Sequence, residues 1–330
     1  MDSTPIISVI MPSLNVGDYM EECLTSVINQ SLKNIEIICV DAGSTDNTLE
    51  IIKKHQRIDN RIKLINSERK SYGHQVNIGL KESSGLYISI VETDDYIDEN
   101  MLERLYSYSR NDKIDIIKGN FFYLNDYDEK NVELVEEDSK KELICEKAFT
   151  LNEQSLFVTG HPSIWAGIYR REFLEKNNIR FKEEPKGGWV DNPFFFETAI
   201  RAESIIYIDE ALYYYRITNP DSSTNDIGDD TLPMKRILDI FEVIEENKVE
   251  DRNVILEFYV RLFRYIELIL EYNENDINNL SYETCEYIQK ALNKVDEKIV
   301  KEDLIRNFRI LYYKFTSPLI LLRFNMGDNK

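Results

Sequence analysis

The chain has 330 residues, of which 42% are hydrophobic, and its 60 acidic against 40 basic side chains give a formal net charge of −20. That length holds one large domain or two ordinary ones around a real core, and so acidic a chain lacks the basic face with which a protein neutralises nucleic-acid phosphates. Cys23, Cys39, Cys145 and Cys285 are too widely spaced for a metal pair or a disulfide framework and read as reduced, mostly buried thiols of a cytoplasmic protein; neither a secretory leader nor a run long enough to cross a bilayer is visible.

In chain order, Ile6 to Met11 is a nearly continuous apolar run and predicts a first strand, ended by Pro12 and the loop Ser13 to Gly17. Asp18 is placed to cap a helix running to about Asn29, whose Met20, Cys23, Leu24, Val27 and Ile28 recur at helical spacing. The loop is neither a GxGxxG nor a Walker loop, which sets aside the dinucleotide and P-loop readings. Ile35 to Val40 predicts a second strand ending at Asp41, with Gly43 in a tight turn and Ser44 or Thr45 capping a helix to about Gln56. Asp41 is either a turn-forming residue or a ligand contact at a strand's carboxyl end. Ile62 to Ile65 predicts a third strand, then a loop carrying Arg69, Lys70, Tyr72, Gly73 and His74, then a helix from about Gln75 to Glu82.

Leu86 to Ile97 (LYISIVETDDYI) is the stretch around which the rest is arranged. An apolar, β-rich run stops at Glu92-Thr93-Asp94-Asp95, as a buried strand stops at a turn. In parallel α/β sheets the ligand crevice lies beyond the carboxyl ends of the strands, so Asp94 and Asp95 stand at its mouth. Two adjacent carboxylates there call for a positive partner, and a hard divalent cation shared with a diphosphate fits. The plain alternative is a solvated acidic turn capping the next helix. Asp98 caps a helix to about Ser109, and Ile114 to Lys118 predicts a fifth strand. The β-α alternation predicts an α/β fold, a mostly parallel sheet with helices on both faces.

The runs SVIMPSLN, VDAGSTDNT, NIGL and ETDDYID, in this order and spacing, resemble the nucleotide-binding half of family 2 glycosyltransferases with the GT-A fold, of the bacterial polysaccharide type. The resemblance covers roughly residues 5 to 217. It implies a base pocket lined by Pro12 and Ser13, a hydrogen bond from the uracil N–H to Asp41, a ribose or metal-water contact at Asp94, and Asp95 as direct ligand of Mn2+ or Mg2+. It implies a nucleotide-sugar donor, UDP-linked, and a glycan or lipid-linked glycan acceptor. Departures are Glu92, where many relatives have Asp, and Val76, where many have an Arg that contacts the nucleotide. Arg69, Lys70 or His74 is placed to supply the missing donor.

Residues 119 to 150 read as a charged, irregular insert with a hairpin around Asn125 to Lys130. Gly160 to Leu174 reads as a short helical stretch leading into a second one. Trp165 offers a flat face on which an acceptor sugar can stack, or fills the core; His161 contacts phosphate or acceptor, or is structural. In Gly187-Gly188-Trp189-Val190-Asp191-Asn192 the glycines give a bent loop and Asp191 stands at a helix start. By resemblance Asp191 is the general base, which an acceptor hydroxyl needs as it attacks an anomeric carbon, although Val190 replaces a first acidic residue. Its plain alternative is a helix cap. Ile205 to Ile208 predicts a strand, and Ala211 to Arg216 (ALYYYR) resembles the family segment closing this half. Arg216 and the Ser222-Ser223-Thr224 loop are placed to reach the diphosphate on loop closure, or Arg216 is a surface residue.

From about Asp229 the pattern turns helical, over 231–247, 250–273, 280–294 and from 300 on. The expected organisation is thus a nucleotide-sugar-binding half (1–120), an acceptor-binding and catalytic half (121–228) and a helical region (229–330). The tail from Leu304 to Phe324 mixes apolar residues with Arg306, Arg309, Lys314 and Arg323. It packs on the domain, on a second subunit in a homo-oligomer, or on anionic lipid as a peripheral membrane contact. A nucleotidyltransferase is the first rival function, against which Ser13 to Gly17 lacks any Arg or Lys. The second rival is a scaffold that has lost activity, kept open by Glu92, Val76 and Val190.

Overall fold

The structure, a computed structural model, describes residues 4–127, 131–220 and 229–317. The chain divides into two units, residues 1–225 and 226–330. The first is built on one sheet. Its strands and helices in chain order are β1 (Ile7–Ser13), α1 (Gly17–Ile28), β2 (Ile35–Asp41), α2 (Thr48–Gln56), β3 (Ile62–Asn66), α3 (Tyr72–Glu82), β4 (Tyr87–Ile90), β5 (Tyr96–Ile97) and α4 (Met101–Tyr106). Then come β6 (Ile116–Asn125), β7 (Glu133–Glu136), β8 (Gly167–Arg170), α5 (Arg171–Lys176), α6 (Asp191–Arg201) and β9 (Ile205–Arg216).

The strand order is β3-β2-β1-β4-β8-β6-β9-β5, with β7 paired to β6. β3, β2, β1 and β4 are parallel neighbours; β8 runs antiparallel between β4 and β6, and β6 is parallel to β9. Six of the nine strands therefore point the same way, the mostly parallel sheet that the β-α alternation predicts. Every residue of β1 and β2 is buried, so both faces of the sheet centre are covered, as continuous apolar strands require. Gly79 lets α3 lie close on β1: a Cβ there would stand 2.4 Å from the Ile10 side chain.

Several local expectations change. β1 runs two residues past Met11, through Pro12. Its pairing with β4 stops at Ile10, so the missing N–H of Pro12 falls where β1 has lost that neighbour. Gly167–Arg170 is a strand, not a helical stretch, because the gap between β4 and β6 needs one. The segments at 205–208 and 211–216 are one strand, β9, whose pairing with β6 shifts register around Asn120. The short β5 follows the acidic turn directly and pairs with Tyr213 and Tyr214 of β9. α1 has no side-chain cap from Asp18; its first N–H, on Gly17, donates instead to Asp46 of the next loop at 2.9 Å. The hairpin expected around Asn125 exists as β6–β7, and residues 128–130 of it lie outside the described residues.

The second unit is helical: α7 (Leu232–Glu246), α8 (Arg252–Tyr272), α9 (Tyr282–Leu292), α10 (Glu297–Glu302) and α11 (Arg306–Thr316). Asp251, Ser281 and Asp296 cap α8, α9 and α10 through their side chains. Ile237, Phe241, Phe258, Leu262 and Ile288 lie in its core. Among the described residues no helix is long and apolar enough to cross a membrane. All four cysteines are free, and three of them are buried.

Candidate active site

Parallel register brings Ser13, Asp41 and Asn66 side by side at the carboxyl ends of β1, β2 and β3. Asp41 is 1% exposed. Its Oδ1 accepts the N–H groups of Gly43 and Ser44, both at 2.9 Å, and its Oδ2 accepts the hydroxyls of Ser44 at 2.5 Å and Ser13 at 3.1 Å. A carboxylate has about four acceptor positions, so Asp41 as placed organises its own loop. A ligand N–H directed at Asp41 would have to displace one of the two hydroxyls, which can rotate. The Pro12 carbonyl accepts from Thr93 Oγ1 at 2.8 Å, and Gln75 Nε2 ties the Ser13 and Val40 carbonyls together at 2.9 and 2.7 Å. The Pro12 and Ser13 carbonyls are therefore tied to the acidic turn and to α3.

The acidic turn separates its carboxylates sharply. Asp95 is 1% exposed; its Oδ2 accepts the Tyr213 hydroxyl and its Oδ1 the Arg216 N–H, both at 2.8 Å. Burial, then the charge of Asp94, pushes its carboxyl well above the usual range. Asp95, expected by resemblance to be the direct metal ligand, is thus tied into β9. Asp94 is half-buried, takes one bond from Asn219 Nδ2 at 2.9 Å on its Oδ2, and keeps Oδ1 without a hydrogen-bond partner among the described residues. Arg216 is engaged within the chain. Its Nε donates to the Asp94 carbonyl at 2.8 Å, its guanidinium pairs with Glu22 at 2.5 Å and with Asp126, and it lies over the Tyr19 ring. It pins the acidic turn to β9. The Ser222-Ser223-Thr224 loop lies outside the described residues.

Glu92 accepts the Tyr72 hydroxyl at 2.5 Å, and its N–H donates to Tyr213 at 3.1 Å. Burial, with the charges of Asp94 and Asp191 added, pushes its carboxyl up to about 8 against the Tyr72 hydrogen bond. The charge of Asp191 adds to the upward push on both Glu92 and Tyr72, after burial. The segment leading to Asp191 is stitched to the start of α3. The Lys186 N–H donates to the Lys70 carbonyl and the Tyr72 N–H to the Lys186 carbonyl, each at 2.9 Å. Glu183 gathers Arg69 at 2.8 Å, His74 at 3.0 Å and Asn77 at 3.2 Å. Arg69 and His74, two candidates for the missing nucleotide donor, are thus engaged with Glu183, while the Lys70 side chain is exposed. Lys186, Gly188 and Trp189 have φ of 58°, 61° and 52°, a left-handed bend that costs the two non-glycine residues about 1 kcal/mol each. It delivers Asp191 as the first residue of α6, where the helix dipole favours a carboxylate.

Trp165, expected either to stack on an acceptor sugar or to fill the core, is buried. It is 4% exposed, its ring lies 4.1 Å from that of Tyr213 and 5.2 Å from that of Tyr215, and Phe121 meets it edge-on. His161 belongs to the same aromatic cluster and accepts the Ser163 N–H on Nδ1 at 2.9 Å. The chain over residues 159–163 is held by two buried lysines: Lys118 donates to the Pro162 and Ser163 carbonyls, and Lys140 to the Thr159 carbonyl at 2.7 Å. Residues that pattern reading missed are Tyr72, Gln75 and Asn219, single polar residues in loops or at a helix start without motif spacing. Among the described residues, no group of three or more His, Cys, Asp or Glu is placed to hold a metal ion.

Residues 8–177 match the model of the glycosyl transferase family 2. The chain is 31% identical over 220 residues to EpsJ of Bacillus subtilis, an uncharacterized glycosyltransferase, covering 67% of this chain and 63% of EpsJ. It is 29% identical over 283 residues to the glycosyltransferase GlyG of Streptococcus pneumoniae, covering 82% of this chain and 88% of GlyG. In fold it is similar to TarS of S. aureus in complex with UDP-GlcNAc, with a TM-score of 0.78 at 22% identity over 93% of this chain and 86% of that one. A GT-A-like sheet ending in an acidic turn, matched by the family model over half the chain and by relatives named as glycosyltransferases, gives the assignment: this chain belongs to the family 2 glycosyltransferases.

Proposed function

We propose that the chain transfers a sugar with inversion from a nucleotide diphosphate donor, UDP-linked, to a hydroxyl of a glycan or lipid-linked glycan. The observation that supports this reading is Asp191 at the start of α6, five residues after Lys186, which pairs with the start of α3. Asp191 takes the proton of the acceptor hydroxyl as its oxygen bonds to the anomeric carbon, and the bond from that carbon to the diphosphate oxygen breaks on the opposite face. Asp41 and Ser13 line the base pocket, and the exposed ammonium of Lys70 is the cation available to the diphosphate. The UDP-GlcNAc complex of the TarS structure supports a UDP-linked donor, and PcManGT of Pyrobaculum calidifontis, solved with GDP-Man and Mn2+, supports a metal.

The residues present fit a divalent cation in one particular way. Mg2+ is commonly held by one or two carboxylates, with waters and substrate phosphates completing its shell, and Asp94 offers such a carboxylate with Oδ1 open. We assign the metal contact to Asp94, and to Asp95 the task of fixing the turn. Bound there, Mn2+ or Mg2+ would offset charge on the departing diphosphate.

The test is a thermal-shift series with UDP-sugars, with and without Mn2+, followed by a transfer assay with the sugar that binds. Stabilisation by mass action that requires metal, is lost in Asp94→Asn and survives in Asp191→Asn is the expected pattern. Asp191→Asn should lower turnover roughly a thousandfold. Full transfer by Asp191→Asn, or no nucleotide binding by the parent chain, overturns the reading.

A further inference from the structure

α11 departs from the charge character of the chain. Its sequence, Arg306 to Thr316, contains Arg306, Arg309 and Lys314 and no acidic residue, in a protein whose formal charge is −20. Phe308 and Phe315 are buried, and Phe308 stacks on Phe263 of α8 at 5.5 Å. That fixes which side of the helix faces the second unit. The other side carries the three basic residues together with apolar ones that water does not favour: Ile305, Ile310 and Tyr313 are 55%, 53% and 44% exposed. Positions 306, 309, 310, 313 and 314 repeat at three and four residues and form a single stripe, which lines a shallow open depression with Lys301.

The acidic residues near this stripe are already paired. Glu297 is engaged by Lys301 at 2.9 Å, and Glu302 and Asp303 by Arg252, each at 2.6 Å. Arg306 and Lys314 have no ion-pair partner among the described residues. The stripe is thus a local positive field with apolar side chains set between its charges. At physiological ionic strength charges beyond about 8 Å are largely screened, so the acidity of the rest of the chain does not cancel it at short range.

We propose that this face of α11 docks on an anionic bilayer surface. Arg306, Arg309 and Lys314 would meet lipid phosphates while Ile305, Ile310 and Tyr313 enter the headgroup boundary. Apolar residues between cations distinguish a bilayer from a soluble polyanion, since such a helix lies in the interface through both terms, and tyrosine favours that depth. The inference goes beyond the proposed sugar transfer and does not depend on it.

The experiment is co-sedimentation of the full chain with phosphatidylglycerol-containing vesicles and with pure phosphatidylcholine vesicles, across a salt series, with light scattering of the free protein. Binding should require the anionic lipid and weaken as salt rises. Combined Arg306→Glu, Arg309→Glu and Lys314→Glu substitution should reduce it by roughly a hundredfold or more, at about fivefold per basic residue. The Ile310→Ser/Tyr313→Ser pair should also weaken it while keeping the lipid preference, and this pair answers the question if the charge-reversed chain does not fold. No vesicle binding, equal binding to both lipids, or a dimer that Ile310→Ser/Tyr313→Ser dissociates without any vesicle binding overturns the proposal.

Discussion

Asp94 and Asp95 are adjacent in sequence and opposite in environment, and two substitutions should separate their parts. Asp95→Ala leaves the Tyr213 hydroxyl and the Arg216 N–H without an acceptor. It should cost roughly 2–4 kcal/mol of stability in denaturant unfolding, the range for orphaned buried donors. Asp94→Asn should change unliganded stability by less than about 1 kcal/mol and remove the metal-dependent response to nucleotide. Glu92 gives a pH signature. Its folded carboxyl titrates at about 8 against 4.5 unfolded, so the unfolded chain loses this proton first and stability falls as pH rises between those values. Without divalent cation, Glu92→Gln should therefore melt above the parent at pH 8 and close to it at pH 4. An equal difference at both values would show that Glu92 does not carry a raised pKa.

At the scale of elements, the amino-terminal end of the sheet is held by a buried charge. Glu36 of β2 accepts from Ser8 Oγ of β1 at 2.6 Å, from Lys63 Nζ of β3 at 2.6 Å, and from the Ser84 N–H and hydroxyl before β4 at 2.6 and 2.9 Å. Burial pushes its carboxyl up, but these hydrogen bonds outweigh burial and hold it at about 2. Because the folded value lies below the unfolded one, the stabilisation is full above the unfolded value and is lost as pH falls toward 2. Glu36→Gln should destabilise the chain by up to about 3 kcal/mol near neutral pH, and the gap to the parent should narrow in acid. A gap that does not change with pH would mean that shape, rather than charge, holds this corner. Here sequence reading had limits: Glu36 sits in an apolar strand, where alternation marks its position but nothing marks Ser8, Lys63 and Ser84 as its partners.

At the scale of the molecule, one sheet runs through both halves of residues 1–225, since β8 joins β4 to β6 and β9 lies beyond. The boundary expected near residue 120 therefore falls inside one continuous sheet. Native-state hydrogen exchange should show central amides of β1 and of β9 opening with the same free energy, as parts of one cooperative unit do. Protection retained in β1 after β9 has exchanged would show two units instead.

The sequence by itself determined the alternation of strands and helices, the acidic turn at a strand end and the helical last third. These follow from hydrophobic period and local turn chemistry, which act over a few residues. The helix start at Asp191 is local too, since the bent loop before it and the first turn of α6 lie within a few residues. Only the tertiary structure decided which of Asp94 and Asp95 is shielded, that Arg216 is spent on Glu22, Asp126 and the Asp94 carbonyl, and that Trp165 is core. Exposure and hydrogen-bond partnership depend on residues far away in the chain: Tyr213 and Arg216 reach Asp95 from more than a hundred positions on. Two identical side chains at consecutive positions thus acquire different chemistry from neighbours that no local pattern identifies.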